Sequence, residues 1–192
     1  NNVQGACDMG GLPNVFTAYQ PVINDDARKG YEKAWGVSGM SATPGLPVTE
    51  MIQKAYEGEL KALFVIGENP MVSDPDLNHA RKAIENLDFF VVQDIFETET
   101  TRMADVVLPA HCFAEKDGTF SNTERRIQRV RKAVKPPGQA RPDWQILCDI
   151  AGRMGYDMHY NGPEQIFEEI ARVTPSYRGV TWERIDEVGI HW

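Results

Sequence analysis

Cysteine is scarce in this chain. Cys7, Cys112 and Cys148 are its three cysteines among 192 residues. They stand too far apart for a CxxC metal site, and an odd number argues against a disulfide framework. A reducing compartment is the default, so a cytoplasmic location is expected, with the periplasm open to a longer parent protein. Positive charge is also in deficit. Lys and Arg number 20 against 28 Asp and Glu, a formal net charge of −8. Such a chain repels phosphate backbones and anionic bilayers, which argues against nucleic acid as a partner. No apolar run approaches the roughly 20 residues that span a bilayer, and no signal peptide pattern opens the chain. The four histidines, His79, His111, His159 and His191, form neither HExxH nor a spaced ligand set. GxSxG, the Walker loop and GxGxxG are missing, which excludes a classical NAD domain. His111 and Cys112 are neighbours, but adjacent residues on a strand point to opposite faces, so they make a poor base–nucleophile pair. A structural role is expected for both. The chain also lacks a starting Met, and we read it as a segment of a longer protein.

What is present is an ordinary globular composition, 42% hydrophobic and 25% charged, at a length that suits one large domain or one domain with an appendage. Residues 1–25 carry little periodicity and read as loop, with a short helix expected around Ala27–Trp35 and loop again over Gly36–Pro47. The next stretch alternates regularly. A helix opens at Thr49, with Met51, Ile52, Ala55 and Tyr56 on one face, and Gly58 stops it. Ala62–Ile66 is a continuous apolar run that reads as a buried parallel strand. Asp74 as N-cap and Pro75 at the first position start a second helix, with Leu77, Ala80, Ile84 and Leu87 as its stripe. Phe89–Val92 is a second buried strand ending at Gln93 and Asp94, a short helix is expected over Glu97–Ala104, and Asp105–Leu108 is a third strand ending at Pro109.

This β-α-β-α-β order predicts an α/β fold, Rossmann-like, with three α-β-α layers around a parallel sheet and a smaller mixed or helical C-terminal region. Beyond it, short strands are expected over Thr119–Val130. Helices are expected over Trp144–Met154, with Asp143 as N-cap and Gly155 at its end, and over Pro163–Arg172. The expected domains are a partial cofactor-binding α/β domain over 1–112, short strands and a linker over 113–141, and a helical segment over 142–192 packing on the first domain.

Ligands of open α/β sheets sit beyond the carboxyl ends of the strands. Glu68 and Asp94 stand at such ends, and Asp143 at a helix start. A carboxylate there accepts two hydrogen bonds from the N1–H and exocyclic amine of guanine, by the same logic that lets acceptors choose bases. For Asp143, N-cap and ligand contact both remain open.

These residues fall in motifs that resemble the molybdenum- or tungsten-containing formate dehydrogenases, which bind a bis(molybdopterin guanine dinucleotide) cofactor. The resemblance runs through Asn1-Asn2-Val3-Gln4-Gly5-Ala6-Cys7-Asp8-Met9-Gly10 and Ile66-Gly67-Glu68-Asn69-Pro70. It continues through Val92-Gln93-Asp94-Ile95-Phe96, Ala104-Asp105-Val106-Val107-Leu108-Pro109 and Glu115-Lys116-Asp117-Gly118-Thr119-Phe120. Asn122, Glu124-Arg125-Arg126 and Asp143-Trp144-Gln145-Ile146 complete it. It implies a parent that oxidises formate to carbon dioxide, with electron-transfer subunits as partners beside the remaining domains of the same catalytic subunit. The metal ligand, the iron–sulfur cluster cysteines and an active-site Arg are implied upstream of Asn1, so the resemblance assigns no catalytic or metal-ligating residue here. The fragment alone is expected to be inert and free of bound cofactor. What carries over is cofactor binding: Gly67, Glu68 and Asn69 around a guanine nucleotide, Ser73 near the phosphates, Gln93 and Asp94 on the nucleoside, and Asp143 on guanine. Ala110 stands where a Ser is frequent, and Gln4 lies near the approach to the pterin. Two other readings stay open. One is another enzyme of this class, a nitrate reductase or an NADH-dehydrogenase-type subunit. The other is a non-catalytic nucleotide-binding or interaction module.

Overall fold

The structure, a computed structural model, describes residues 3–192. Asn1 and Asn2, which open the first motif above, lie outside the described residues. In chain order the elements are α1 (Val3–Asp8), α2 (Asp25–Trp35), α3 (Val48–Tyr56), β1 (Ala62–Ile66), α4 (Pro70–Ser73), α5 (Leu77–Glu85), β2 (Phe89–Asp94), β3 (Val106–Pro109), β4 (Gly118–Ser121), β5 (Arg126–Val130), α6 (Asp143–Arg153), α7 (Pro163–Val173) and β6 (Ile190–His191).

The chain divides into two compact units, and neither follows the three-part division expected from the sequence. One contains Asn1–Gly45, Asp117–Lys132 and His159–Trp192; the other contains Leu46–Lys116 and Ala133–Met158. The split falls between α6 and α7, which look alike as amphipathic helices. Ala110 forms a bridge with Arg141, just ahead of α6, whereas Phe167 of α7 joins a core with Ile127, Tyr177, Val180 and Ile185. Local periodicity records that a helix is amphipathic but not which core receives it.

In the unit containing Leu46–Lys116, β1, β2 and β3 form a parallel sheet in that order. Phe64 pairs with Val91, and Val91 with Val106. The face bearing Leu63, Val65, Phe90 and Val92 is packed with Met71 and Ile84. Beside it Ile52 and Ala55 of α3 meet Ala80 and Ala83 of α5, where the alanines let the two helices approach closely. Burying Phe90 and Val92 contributes about 1.5–3 kcal/mol each. The opposite face is open, as expected of a sheet whose apolar strands need cover that this chain supplies only in part. Phe64, Ile66, Phe89 and Val106 are exposed there, while Gln93, on the same side as Ile66 and Leu108, is fully buried beside the start of α6.

Smaller boundaries also move. α5 is capped by Asp76, not by the expected Asp74: the Asp76 carboxylate accepts from the His79 amide, while Asp74 turns back onto the Asp76 amide. The expected helix over Glu97–Ala104 is a threonine-rich turn with one 3-10 segment, Thr101–Met103. Thr98 and Thr101 bond each other's backbone amides, an alternative that outcompetes helical hydrogen bonds.

In the other unit, β4, β5 and β6 form an antiparallel sheet. A Cβ on Gly189 would lie 2.7 Å from the side chains of Arg126 and Gln128 and 2.8 Å from the Ile127 carbonyl, so only glycine lets this segment approach β5. Residues 1–25, expected as loop, contain α1 and a 3-10 turn over Thr17–Tyr19. α1 is too short to show periodicity; side-chain bonds from Gln4 to Asp8 and from Trp192 to Asp8 hold it.

Candidate functional site

The candidate site is built where β1, β2 and β3 end. Gly67 follows β1 at φ +66°, a conformation that favours glycine, and its amide donates to the Gln93 carbonyl at 2.9 Å. That bond ties the end of β1 to the end of β2. Glu68 stands exposed on the turn. Asn69 is held from both sides of its amide. Its Oδ1 accepts from the Thr100 hydroxyl at 2.7 Å, and its Nδ2 donates to Glu99 Oε2 at 2.9 Å. The Asn69 bond lowers the Glu99 carboxyl from its ordinary value. Thr100 is fully buried and also accepts from the Met71 amide at 3.1 Å, which anchors the start of α4. Ser73 is exposed, and its hydroxyl donates to the Asn69 carbonyl.

At the end of β2, Asp94 Oδ1 accepts from the amides of Ile95 at 2.6 Å and Phe96 at 3.3 Å, an Asx-type turn. The Asp94 carbonyl receives the amide of buried Ala110 at 3.0 Å, which joins the β2 and β3 ends. Gln93 points to the opposite side. Its Nε2 donates to Asp143 Oδ1 at 2.8 Å, and the other Asp143 oxygen accepts from the Lys116 ammonium. A carboxylate only accepts, so the Gln93 nitrogen must face Asp143. Gln93 Oε1 is thereby turned away. It is buried and has no hydrogen-bond partner among the described residues.

This arrangement bears on one of the two possibilities left open for Asp143, the N-cap. The residue preceding α6 in the cap position is Pro142, which makes no side-chain cap bond. The Asp143 carboxylate leaves the helix terminus for Lys116 and Gln93. The expected N-cap is therefore corrected: an ammonium and a buried amide outcompete the backbone amides of the first turn.

Eight of the nine residues singled out from the sequence (Gly67, Glu68, Asn69, Ser73, Gln93, Asp94, Ala110 and Asp143) lie in this unit. Gln4 lies in the other unit, where its Nε2 donates to Asp8 and to the Tyr19 hydroxyl. Sequence reasoning missed Lys116, Glu99 and Thr100. Lys116 precedes an Asp-Gly pair that reads as a turn signal, and the Thr98–Thr101 stretch reads as helix; neither pattern marks a side chain aimed at a distant partner. His111 is buried with its Nε2 against the Ala140 carbonyl at 2.9 Å, and the Cys112 amide is capped by Glu115. His111 Nδ1 is buried without a hydrogen-bond partner among the described residues.

The topology places the chain among α/β proteins whose ligands sit beyond the carboxyl ends of parallel strands. A solved acetylene hydratase from Pelobacter acetylenicus shares the fold, with a TM-score of 0.58 and 24% identity over 82% of this chain and 22% of that one. The chain belongs to the molybdopterin oxidoreductase family, whose profile matches residues 1–153. Membership implies a molybdopterin cofactor. The F420-dependent formate dehydrogenase subunit alpha of Methanocaldococcus jannaschii is 55% identical over 194 residues. Formate dehydrogenase H of Escherichia coli is 44% identical over 193. The chain spans 28% of the first of these relatives and 27% of the second. Among the described residues, no helix is long and apolar enough to cross a membrane.

Proposed function

We propose that this segment belongs to the catalytic subunit of a formate dehydrogenase and binds a guanine nucleotide of a bis(molybdopterin guanine dinucleotide) cofactor. The parent would oxidise formate to carbon dioxide. When bound, the cofactor supplies two-electron redox chemistry at molybdenum or tungsten. An iron–sulfur cluster elsewhere in the parent, electron-transfer subunits and the remaining domains of the same subunit complete the assembly, in the cytoplasm. The names of the similar proteins support the reaction.

The observation that carries the nucleotide assignment is Gln93. A buried acceptor without a partner is costly, about 1–3 kcal/mol, and a donor from a ligand would relieve it. Guanine carries donors on one edge, N1–H and the exocyclic amine. Gln93 Oε1 is an acceptor of the kind that edge requires, and Asp94, which leaves the strand on the other side, offers Oδ2 to a ribose hydroxyl. Lys116, against Asp143, and Asn69, with Ser73 beside it, add polar groups suited to ribose or phosphate oxygens. The role of Asp143 is to orient Gln93 in concert with Lys116, with a guanine contact in addition.

Asp94→Ala in the full-length enzyme tests this reading. Losing a desolvated carboxylate contact costs about 1.5–3 kcal/mol, so metal and pterin content per folded protein should fall by at least several-fold. Unchanged content would refute the assignment.

A further inference from the structure

His111 lies just beyond β3, where the chain stays extended. The Ala110 amide donates to the Asp94 carbonyl at 3.0 Å on one flank, and the His111 amide donates to the Arg141 carbonyl at 2.9 Å on the other. Across the sheet Asp94 pairs with Pro109. Side chains alternate along an extended chain, so His111, two residues past Pro109, leaves on the side of Asp94 and opposite to Gln93.

The His111 ring is 7% exposed and is anchored by Nε2, which lies 2.9 Å from the Ala140 carbonyl. A carbonyl only accepts, so Nε2 carries the proton, and the neutral ring then has a bare acceptor at Nδ1. That atom is buried without a hydrogen-bond partner among the described residues. The Ala140 bond accounts for one nitrogen and leaves the other as a cost.

A bare ring nitrogen takes a donor, which excludes phosphate oxygens. A guanine nucleotide carries donors in two places, the N1–H and amine edge of the base and the hydroxyls of the ribose. The base edge is assigned to Gln93, on the opposite side of the strand ends. Asp94 stands on the side of His111, and one carboxylate oxygen there leaves the second hydroxyl of a vicinal pair without an acceptor of its own. We infer, resting on the nucleotide reading above, that His111 binds the ribose: Nδ1 accepts from one hydroxyl while Asp94 Oδ2 accepts from its neighbour. Nδ1 is closed to solvent, so the hydroxyl enters with a side-chain adjustment of the kind that binding commonly brings.

The test uses the full-length enzyme and reads metal and pterin content per folded protein together with the melting temperature. His111→Gln keeps a donor for the Ala140 carbonyl and loses the acceptor at the Nδ1 position. His111→Asn places its Oδ1 at the Nδ1 position and is too short to reach Ala140. Content should fall about tenfold in His111→Gln, as for loss of one hydrogen bond. It should stay within about twofold of wild type in His111→Asn, even though that variant melts lower. A purely structural histidine gives the opposite order, with His111→Asn the poorer in both readouts. In enzyme stripped of cofactor, His111→Gln should weaken guanosine monophosphate about tenfold and leave unchanged its dideoxy analogue, which lacks both ribose hydroxyls. Equal weakening of both probes overturns the inference, as does full content in His111→Gln or a folded His111→Asn as depleted as His111→Gln. Asp94→Ala separates the two failures. Depletion there with full content in His111→Gln leaves the nucleotide reading standing, whereas full content in both variants removes that reading and the inference with it.

Discussion

Two substitutions in one hydrogen bond should move stability in opposite directions. Gln93 is fully buried and donates to Asp143, while its own Oε1 lies buried without a partner. Gln93→Leu removes the unpartnered acceptor, worth about 1–3 kcal/mol, and replaces an amide by an apolar group of similar volume. It also removes one donor from Asp143, which keeps Lys116 and whose side chain is 32% exposed. That loss costs about 0.5–1.5 kcal/mol, so the net expectation is stabilisation by about 1 kcal/mol. Asp143→Ala does the reverse. It leaves the buried Gln93 NH2 without an acceptor beside the orphaned Oε1, at a cost of about 1–3 kcal/mol. The Lys116 pair it breaks adds at most ~1 kcal/mol, since both partners are partly solvated. Urea unfolding of the 192-residue chain measures both variants, and heating should show shifts of roughly 2–4 °C per kcal/mol. Destabilisation of both by similar amounts above about 1 kcal/mol would refute the reasoning, because it would mean that Gln93 Oε1 is satisfied and contributes as an ordinary partner. In the full-length enzyme Gln93→Leu should lose cofactor while gaining stability, the signature of a group retained for binding.

The remaining predictions concern the other unit. Arg125→Gly relieves the left-handed conformation, whereas Arg125→Ala keeps it, and both lose the two ring contacts; the glycine variant should therefore be the more stable of the two by about 1 kcal/mol in urea unfolding. Glu124 is held at about 2 by its bond to Arg126, then by Asn122 and His191. Its folded pKa lies below the ordinary 4.5, so its stabilising contribution is complete above about 4.5 and is lost as pH falls from there toward 2. A Glu124→Gln variant should show a flatter stability profile across that window than the parent chain, and identical profiles would contradict the assignment.

How much was legible from the chain depends on the range of the interaction concerned. The three parallel strands were visible because Ala62–Ile66, Phe89–Val92 and Val106–Leu108 are short apolar runs between turn residues. The wholly apolar character of β1 calls for cover on both faces, and the exposure of Phe64 and Ile66 is what a chain that supplies only part of that cover should show. Asp143 was visible as a carboxylate at a helix start, and the choice between cap and ligand was not, because its partners Lys116 and Gln93 lie 27 and 50 residues away.

The sequence by itself therefore determined the class of fold, the family resemblance and the carboxyl-end residues, since each is carried by neighbours along the chain: runs, turns and motifs. Only the tertiary structure decided that α6 and α7 serve different units, that Gln93 has a single orientation, and that Gln4 and Trp192 both donate to Asp8. Those outcomes depend on which acceptor meets which donor across long separations, 184 residues for Trp192 and Asp8. A carboxylate dictates the direction of an amide only once the fold has brought the two together.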